Sequence, residues 1–354
     1  MQPTHTELSP KQSKSKSVKC VVWDLDETLW RGILLEDKQV TLRPGVVEII
    51  QALDERGILQ SIASRNDPDQ ALAQLRAFGL EAYFLYPQIN WNAKSASIQA
   101  IAQALNIGLE ALAFIDDQAF ERDEVKSVCA QVLCLEAAAI ETLLDQPAFT
   151  PRFVTDDTRR RRLMYLGNLE REKAEAAFVG APAAFLATLG MVLTIEPATE
   201  SDLKRAEELT HRTNQLNTTG YTYDYDELSA LSRSADHRLL IAGLDDHYGT
   251  YGRIGLALIA CQPGLWTIHL LLMSCRVMSR GVGSILLADI MRRAKAARAR
   301  LRAEFIPNGR NRQMLITYRF AGFREVQQPV PLSVLEHDLA NILPDPAYVT
   351  VLTR

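Results

Sequence analysis

The fold of the first half of the chain is decided by the stretch VKCVVWDLDET, residues 18–28. Its opening run is almost wholly apolar and stops abruptly at Asp24, as a strand buried in a parallel sheet does. Further apolar runs at 58–63, 83–86 and 111–115 alternate with segments of helical periodicity. This alternation predicts an α/β domain on a parallel sheet, which binds its ligands beyond the carboxyl ends of the strands.

Composition divides the rest of the chain into three further segments. Residues 1–17 are polar and rich in Lys and Ser, which predicts a disordered tail and no secretory signal. The first α/β pattern fills 18–146, charged residues at helical spacing predict a solvated helical linker over 147–183, and a second α/β pattern occupies 184–354. The helices predicted in the first pattern are 45–56, 68–78, 93–105 and one after Phe120.

The overall composition is that of a cytoplasmic globular enzyme. Of 354 residues, 47% are hydrophobic and 23% charged, and the net charge is −4. A slightly acidic chain argues against nucleic acid as a partner, because that binding depends on basic surface. No apolar run approaches the roughly 20 residues that cross a bilayer, so no membrane is expected. The five cysteines lack CxxC spacing, which argues against disulfides and a zinc site and for a reducing compartment.

Asp24 and Asp26 leave the first strand two residues apart. When two carboxylates face one cleft, one can attack phosphorus while the other transfers the proton of the leaving group. Taken alone, the segment also fits a solvated acidic turn.

Polar residues follow three more of the predicted elements. Ser64, in SRND at 64–67, could hold phosphate oxygens or simply cap a helix. Lys94 could neutralise a phosphoryl group or lie on the surface. Asp116 and Asp117 suit Mg²⁺, which takes oxygen ligands, although acids are also favoured where a helix begins. The ordered set predicts one phosphotransfer site.

This ordered set resembles the four motifs of the haloacid dehalogenase superfamily. The resemblance implies that Asp24 is the nucleophile, that Asp26 is the general acid/base and that Thr28 braces the loop. It implies phosphate binding by Ser64, Arg65, Asn66 and Lys94, and a Mg²⁺ site at Asp24, Asp26 (through its carbonyl), Asp116 and Asp117, with Glu121 at the acidic position that follows. The intervals 24–64 and 64–94 hold only the expected helix and strand, which predicts a fold without a cap domain.

In the second half, a predicted strand at 265–273 leads into the loop Arg280-Gly281-Val282-Gly283 and then a helix. A glycine-bearing loop before a helix N-terminus presents backbone amides to a pyrophosphate. The segment resembles the acyl-CoA loop of the GNAT acetyltransferase fold, and this implies a pantetheine- or CoA-type site at Arg280, Gly281 and Gly283. A glycine turn that binds nothing is the alternative, and Met278 departs from the usual motif.

Six longer motifs together resemble the FkbH family. They are DLDETLWRG at 24–32, SRND at 64–67, FLYPQINWNAKS at 84–95, DDQAFERDEV at 116–125, RTNQLNTT at 212–219 and SCRV at 274–277. The resemblance implies a haloacid dehalogenase-like domain fused to a GNAT-like domain. It implies an enzyme that takes the glyceryl group of 1,3-bisphosphoglycerate, removes phosphate and leaves a glyceryl thioester on an acyl carrier protein, for methoxymalonyl-type extender units or starter units of polyketides.

Two points qualify the expected chemistry. Some members of the family carry Cys where this chain has Ala63, so direct transfer to the carrier thiol is the simpler hypothesis. Cys20 and Cys275 are the alternative thiols, unless both are buried structural residues. A stand-alone phosphatase with a vestigial second half, and a carrier-binding module without chemistry, are the alternative functions.

Overall fold

A computed structural model describes residues 17–213, 215–327 and 331–354. The chain divides between Leu166 and Gly167 into two compact units, named unit 1 and unit 2 in chain order. The division lies inside the segment predicted as a linker. All but the last residue of the predicted disordered tail falls outside the described residues.

Unit 1 alternates strands with helices, and its last helix continues into unit 2. The elements are β1 (Cys20–Trp23), β2 (Trp30–Arg31), β3 (Thr41–Leu42), α1 (Val46–Glu55), β4 (Leu59–Ser64), α2 (Pro68–Ala77), β5 (Gln88–Ile89), α3 (Lys94–Leu105), β6 (Leu112–Asp116), α4 (Ala119–Val128), β7 (Leu133–Glu136), α5 (Asp156–Arg159) and α6 (Arg161–Ala177).

The main sheet of unit 1 is parallel and has the strand order β5-β4-β1-β6-β7. Trp23, the last residue of β1, pairs with Ile62 on one side and Ile115 on the other. This register brings the carboxyl ends of the three central strands to one edge, where Asp24, Ser64 and Asp116 follow or end them. The predicted α/β fold on a parallel sheet is confirmed.

No cap domain interrupts the described part of unit 1. The interval 24–64 holds the two-stranded β2–β3 sheet and α1, and the interval 64–94 holds α2 and β5. Both intervals are therefore filled by elements of the α/β domain itself, as the spacing of the motifs predicts.

The strand predicted at 83–86 is wrong. Residues 81–83 form a 3₁₀ turn, Phe84 makes only an isolated bridge to Gln60, and the strand β5 lies further on. Tyr86 has a positive φ of 50°, which turns the chain before extended pairing can continue. Strand β7 is an edge strand with exposed and half-buried residues, and it was not predicted from the sequence.

The arginine-rich start of the predicted linker packs on unit 1. Arg161 is buried, and its Nη1 donates to the carbonyl of Gly57 at 2.8 Å. Arg162 makes a bidentate ion pair with Asp54 on α1: Nε donates to Oδ1 at 3.0 Å and Nη2 donates to Oδ2 at 3.1 Å. Arg161 is therefore buried and Arg162 only partly exposed, whereas a solvated helix was predicted for this segment.

Unit 2 is a second α/β unit. Its elements after α6 are α7 (Pro182–Thr188), β8 (Met191–Pro197), α8 (Glu200–Arg212), α9 (Tyr225–Arg233), β9 (His237–Asp246), β10 (Gly249–Gln262), β11 (Leu265–Met273), α10 (Val282–Ala296), β12 (Arg300–Phe305), α11 (Arg312–Phe320), β13 (Arg324–Gln327), β14 (Ser333–His337) and β15 (Val349–Thr353).

The sheet of unit 2 has the order β13-β14-β12-β11-β10-β9-β8-β15. The β11–β12 and β8–β15 pairs are parallel and the others antiparallel. Alternate residues of β11 enter two different apolar clusters, so helices cover both faces: α10 and α11 on one side, α8 and α9 on the other. None of the helices in the described ranges is long and apolar enough to span a bilayer.

Candidate active site

The side chain of Lys94 contacts the carboxyl ends of the three central strands of unit 1. Its Nζ donates to Asp24 Oδ1 at 2.5 Å, to Asp116 Oδ2 at 3.0 Å and to the carbonyl of Ala63 at 2.8 Å. The lysine and both carboxylates are buried. Of the predicted site residues, the structure therefore brings Asp24, Lys94 and Asp116 into direct contact.

The position of Lys94 is fixed by the helix that it begins. Glu124 of α4 accepts the backbone N–H of Ser95 at 3.0 Å and the Ser95 hydroxyl at 2.5 Å. This carboxylate satisfies a donor in the first turn of α3, where helical partners are lacking. The role of Glu124 could not be predicted, because nothing in the sequence distinguishes it from other acids on α4.

The charges of the cluster act strongly on one another. Burial disfavours the charged form of Lys94, but Asp24 and Asp116 outweigh it and raise the lysine pKa above its ordinary value. Burial, and next the negative charge of Asp24, raise the pKa of Asp116 to about 6. The same two causes raise the pKa of Asp117. One cation beside three carboxylates thus leaves negative charge that a further cation could neutralise.

Three of the four predicted metal ligands converge. Asp24, Asp116 and Asp117 each offer a carboxylate oxygen, and these oxygens lie within 4.8 Å of one another. Two ligands of an ion held at about 2.1 Å are at most about 4.2 Å apart, so this oxygen set fits Mg²⁺ after a small contraction. The Asp26 carboxylate lies outside this group.

Thr28 ties the first motif to the last. Its hydroxyl accepts the backbone N–H of Asp117 at 3.0 Å and donates to Asp117 Oδ1 at 3.3 Å. The threonine is fully buried. It therefore orients one of the acidic side chains of the metal group; the family resemblance implies that Thr28 braces the loop.

Both oxygens of the Asp26 carboxylate are held by N–H donors. Oδ1 accepts from Trp30 Nε1 at 2.7 Å and from the amide of Leu34 at 3.1 Å, and Oδ2 accepts from Asn66 Nδ2 at 2.9 Å. Burial is the largest influence, and it raises the pKa of Asp26 in spite of these bonds. Asn66, predicted to bind phosphate, thus positions Asp26. Trp30 also positions Asp26, a role that was not predicted from the sequence.

Among the residues predicted to bind phosphate, Ser64 has a side chain whose hydrogen bonds are not satisfied. Its hydroxyl is buried and has no hydrogen-bond partner among the described residues, at the end of β4 and next to the carbonyl that Lys94 binds. A buried hydroxyl without a partner is costly unless a ligand completes it. Arg65 instead pairs with Glu121 at 3.0 Å, and the other oxygen of Glu121 is buried without a partner.

Cys20, one of the two alternative thiols, lies at the first residue of β1, whereas Asp24 follows the last residue of that strand. Cys20 is wholly buried in β1, and burial raises its pKa far above the ordinary range. A thiol held protonated in this way is a poor nucleophile.

In unit 2, the predicted pantetheine-type loop precedes α10. Gly281 has a φ of 72°, and a Cβ there would lie 2.8 Å from the Tyr348 hydroxyl, so only glycine suits the position. Gly283 falls in the first turn of α10. Arg280 is buried against Phe185 and pairs with Glu175 of α6 at 3.3 Å, so its charge is already neutralised within unit 2.

Part of the chain is similar to several solved structures. The N-terminal part of a Bacteroides fragilis protein, containing a phosphatase domain complexed with Mg, is 26% identical and has a TM-score of 0.34; the match covers 38% of this chain and 41% of that one. A GNAT-family acetyltransferase from Streptococcus pneumoniae is 17% identical with a TM-score of 0.33, over 41% of this chain and 98% of that one.

A ribosomal-protein alanine N-acetyltransferase from Escherichia coli is 14% identical with a TM-score of 0.33, over 41% of this chain and 90% of that one. No protein-family model and no curated protein matches the chain. The chain spans less than half the length of the phosphatase-containing structure. What the site can do follows from the geometry of its own residues.

Proposed function

We propose that the chain is a Mg²⁺-dependent phosphotransfer enzyme that converts 1,3-bisphosphoglycerate into a glyceryl thioester on an acyl carrier protein. The observation that carries the phosphotransfer part is the contact of Lys94 with Asp24 and Asp116 beside the unpartnered Ser64 hydroxyl. A nucleophilic carboxylate, a cation and a free buried donor in one cleft are what a phosphoryl group requires.

In this proposal, Asp24 attacks phosphorus through Oδ2, which accepts no hydrogen bond from any described residue. Lys94 already holds Oδ1 and carries the charge that stabilises the phosphoryl oxygens. The Ser64 hydroxyl donates to one of those oxygens. Asp26, oriented by its three donors, gives a proton to the leaving oxygen and later takes one from the water that hydrolyses the aspartyl-phosphate.

Asp24, Asp116 and Asp117 would hold the metal, with the Asp26 carbonyl as the fourth protein ligand that the family resemblance implies. The chemistry that a bound Mg²⁺ supplies here is neutralisation of the charge on the transferring phosphoryl group. Thr28 fixes the orientation of Asp117 toward that position.

The identity of substrate and acceptor rests on the resemblance of six motifs to the FkbH family. A glyceryl thioester retains neither phosphate of 1,3-bisphosphoglycerate. The acceptor thiol must therefore displace the acyl phosphate, and the phosphate ester at the other end must be hydrolysed. The cluster around Asp24 suits the hydrolysis, and the absence of a cap domain from the described part of unit 1 favours a macromolecular acceptor such as a carrier protein. The methoxymalonyl-type polyketide extender or starter unit is part of the same proposal.

The test is to incubate the chain with Mg²⁺, 1,3-bisphosphoglycerate and a holo acyl carrier protein, and to follow the carrier by intact mass spectrometry. We expect the carrier to gain one glyceryl group. With Asp24→Asn, we expect the carrier to gain phosphoglyceryl instead, because the ester phosphate is no longer removed. An unmodified carrier with the wild-type chain, combined with release of phosphate from small esters, would leave a stand-alone phosphatase.

A further inference from the structure

His269 and Glu304 face each other where two parallel strands of unit 2 separate. The pairing of β11 with β12 runs from Leu265 to Ile268 and ends at the Ile268–Ala303 pair. The next residue on each strand is His269 and Glu304, and His269 Nδ1 lies 2.9 Å from Glu304 Oε2. The two side chains thus meet at the fork between the strands.

A β-bulge directs His269 out of the regular alternation of β11. On the neighbouring β10, Leu258 pairs with Leu270 and Ile259 with Ile268, so His269 is the extra residue. Bulges of this kind re-aim a side chain and are frequent beside active sites. The position of His269 is therefore set by the backbone as well as by its carboxylate partner.

The segment 216–219 closes the fork beyond the pair. The Thr218 amide donates to the carbonyl of Leu271 at 3.1 Å, and the Ile306 amide donates to the carbonyl of Thr218 at 3.0 Å. The Thr219 hydroxyl donates to the carbonyl of His269 at 3.3 Å. This segment belongs to the RTNQLNTT motif, and it holds the backbone of β11 at and beyond His269.

Glu304 also determines which nitrogen of His269 is basic. A carboxylate only accepts hydrogen bonds, so Nδ1 carries the proton and Nε2 keeps its lone pair. The carboxylate further stabilises the imidazolium that forms when Nε2 takes up a proton. Three other titratable groups lie near. Burial and the charge of Glu304 raise the pKa of Tyr223 and of Tyr318, and burial and His269 lower the pKa of His237.

The pair is accessible, unlike the structural ion pair of the same unit. The side chains of His269 and Glu304 are 33% and 18% exposed, whereas those of Arg171 and Asp246 are 1% and 0% exposed. Exposed ion pairs add only about 0–1 kcal/mol to stability, and a partly exposed pair contributes less than removal of one partner from a fully buried pair would cost. Stability therefore gives little reason for the fork, the bulge and the supporting segment to converge on this histidine.

We propose that His269 and Glu304 form a second catalytic centre, a general-base pair that activates the acceptor thiol for acyl transfer; this rests on the proposed function. His269 Nε2 removes the proton of the phosphopantetheine thiol. The thiolate attacks the carbonyl carbon of the acyl phosphate and forms the C–S bond. The bond from that carbon to the phosphate oxygen breaks, and phosphate leaves with the electron pair. The imidazolium then releases its proton to solvent.

The test uses the full chain, 1,3-bisphosphoglycerate, a holo carrier and Mg²⁺. In His269→Gln and Glu304→Gln, the rate of carrier acylation should fall by about 10²-fold or more, the usual effect of losing a general base. Hydrolysis of p-nitrophenyl phosphate, a reaction of the Asp24 cluster, serves as the internal reference and should continue. Added imidazole should restore part of the acylation by His269→Gly, which a merely structural defect would not allow.

The matched control is Arg302→Gln, which breaks the Arg302–Glu336 pair of 2.9 Å on the same sheet, with side chains 29% and 23% exposed. It should acylate the carrier at nearly the wild-type rate. Acylation by both His269→Gln and Glu304→Gln within twofold of wild type overturns the second centre alone. Absence of acylation by the wild-type chain overturns the proposed function and this centre with it.

Discussion

Two buried cation–carboxylate clusters, one in each unit, differ in how completely their hydrogen bonds are made. In unit 2, the Arg171 guanidinium donates twice to Asp246 at 2.7 and 2.8 Å, once to Asn168 at 2.8 Å and once to the carbonyl of Gly249 at 3.1 Å. The ring of Tyr251 covers its face at 3.9 Å. All three nitrogens of the guanidinium therefore have hydrogen-bond acceptors, and the cluster needs no ligand to complete it.

The Lys94 cluster of unit 1 is incomplete. One cation faces the carboxylates of Asp24, Asp116 and Asp117, and the hydroxyl of Ser64 beside it has no partner among the described residues. Burying like charges and an unpaired donor costs stability unless a ligand compensates. A buried polar cluster whose hydrogen bonds are all made (a finished cluster) indicates a role in stability. A cluster that leaves charges or donors without partners (an unfinished cluster) indicates ligand binding and chemistry.

The largest effect should come from removing the nucleophile of the unfinished cluster. Asp24→Asn keeps the shape of the side chain but not its nucleophilic oxygen. Hydrolysis of p-nitrophenyl phosphate should fall on the order of 10³-fold or more, measured by steady-state kinetics. The melting temperature should not decrease appreciably, since the substitution also relieves repulsion with Asp116. A clear loss of stability together with retained activity would show that Asp24 serves the stability of unit 1 and is not the nucleophile.

The finished cluster should behave in the opposite way. Arg171→Met leaves Asp246 buried without its cation and should lower the free energy of unfolding of unit 2 by about 3–5 kcal/mol. Urea denaturation followed by far-UV circular dichroism measures this. The double variant Arg171→Met/Asp246→Leu should recover most of the loss. If the single variant costs under about 1 kcal/mol, Arg171 is not the structural cation that its contacts indicate.

Metal binding should distinguish the two clusters again. Added Mg²⁺ at about a hundred times its dissociation constant should stabilise the fold of unit 1 by about 2.7 kcal/mol, visible as a rise in melting temperature. Asp117→Asn should remove most of this rise, and Arg171→Met should retain it. An equal response to Mg²⁺ in wild type and Asp117→Asn would exclude Asp117 as a ligand.

The sequence predicts the unfinished cluster better than the finished one. Asp24, Ser64, Lys94 and Asp116 are recognisable because each lies at the end or beginning of a strongly patterned element, and parallel strands bring such ends together. Arg171 and Asp246 lie in a charged helix and at a strand end, and their pairing depends on packing that no local pattern encodes. The short strand at 88–89 was not predicted either. The positive φ of Tyr86 turns the chain there, so strand pairing begins later than the apolar run indicates.

Two buried tryptophans permit a smaller and sharper test. Trp30 Nε1 donates to Asp26 Oδ1 at 2.7 Å, whereas Trp23 Nε1 donates to Gln60 Oε1 in the core at 3.2 Å. Trp30→Phe should lower kcat by about tenfold, more with esters of basic leaving groups, because Asp26 must protonate them. Trp23→Phe is the matched control and should affect stability only. If Trp30→Phe and Trp23→Phe lower kcat equally, and by the same factor for every leaving group, Trp30 does not position Asp26 for proton transfer.

The smallest effect concerns a finished polar contact in unit 2, at His337. Its Nδ1 accepts the amide of Leu339 at 2.8 Å, and burial lowers the pKa of His337 below 6.5 in spite of the exposed Asp338 carboxylate nearby. The unfolded chain therefore binds this proton at a higher pH than the folded chain does. Stability should be unaffected above about pH 7.5 and should fall as the pH drops through about 6.5.

Melting curves of wild type and His337→Gln at about pH 7.5 and about pH 5.5 test this, since glutamine cannot take up the proton. If the two proteins lose the same stability on acidification, other groups are responsible, and the contact at His337 carries no pH dependence of its own.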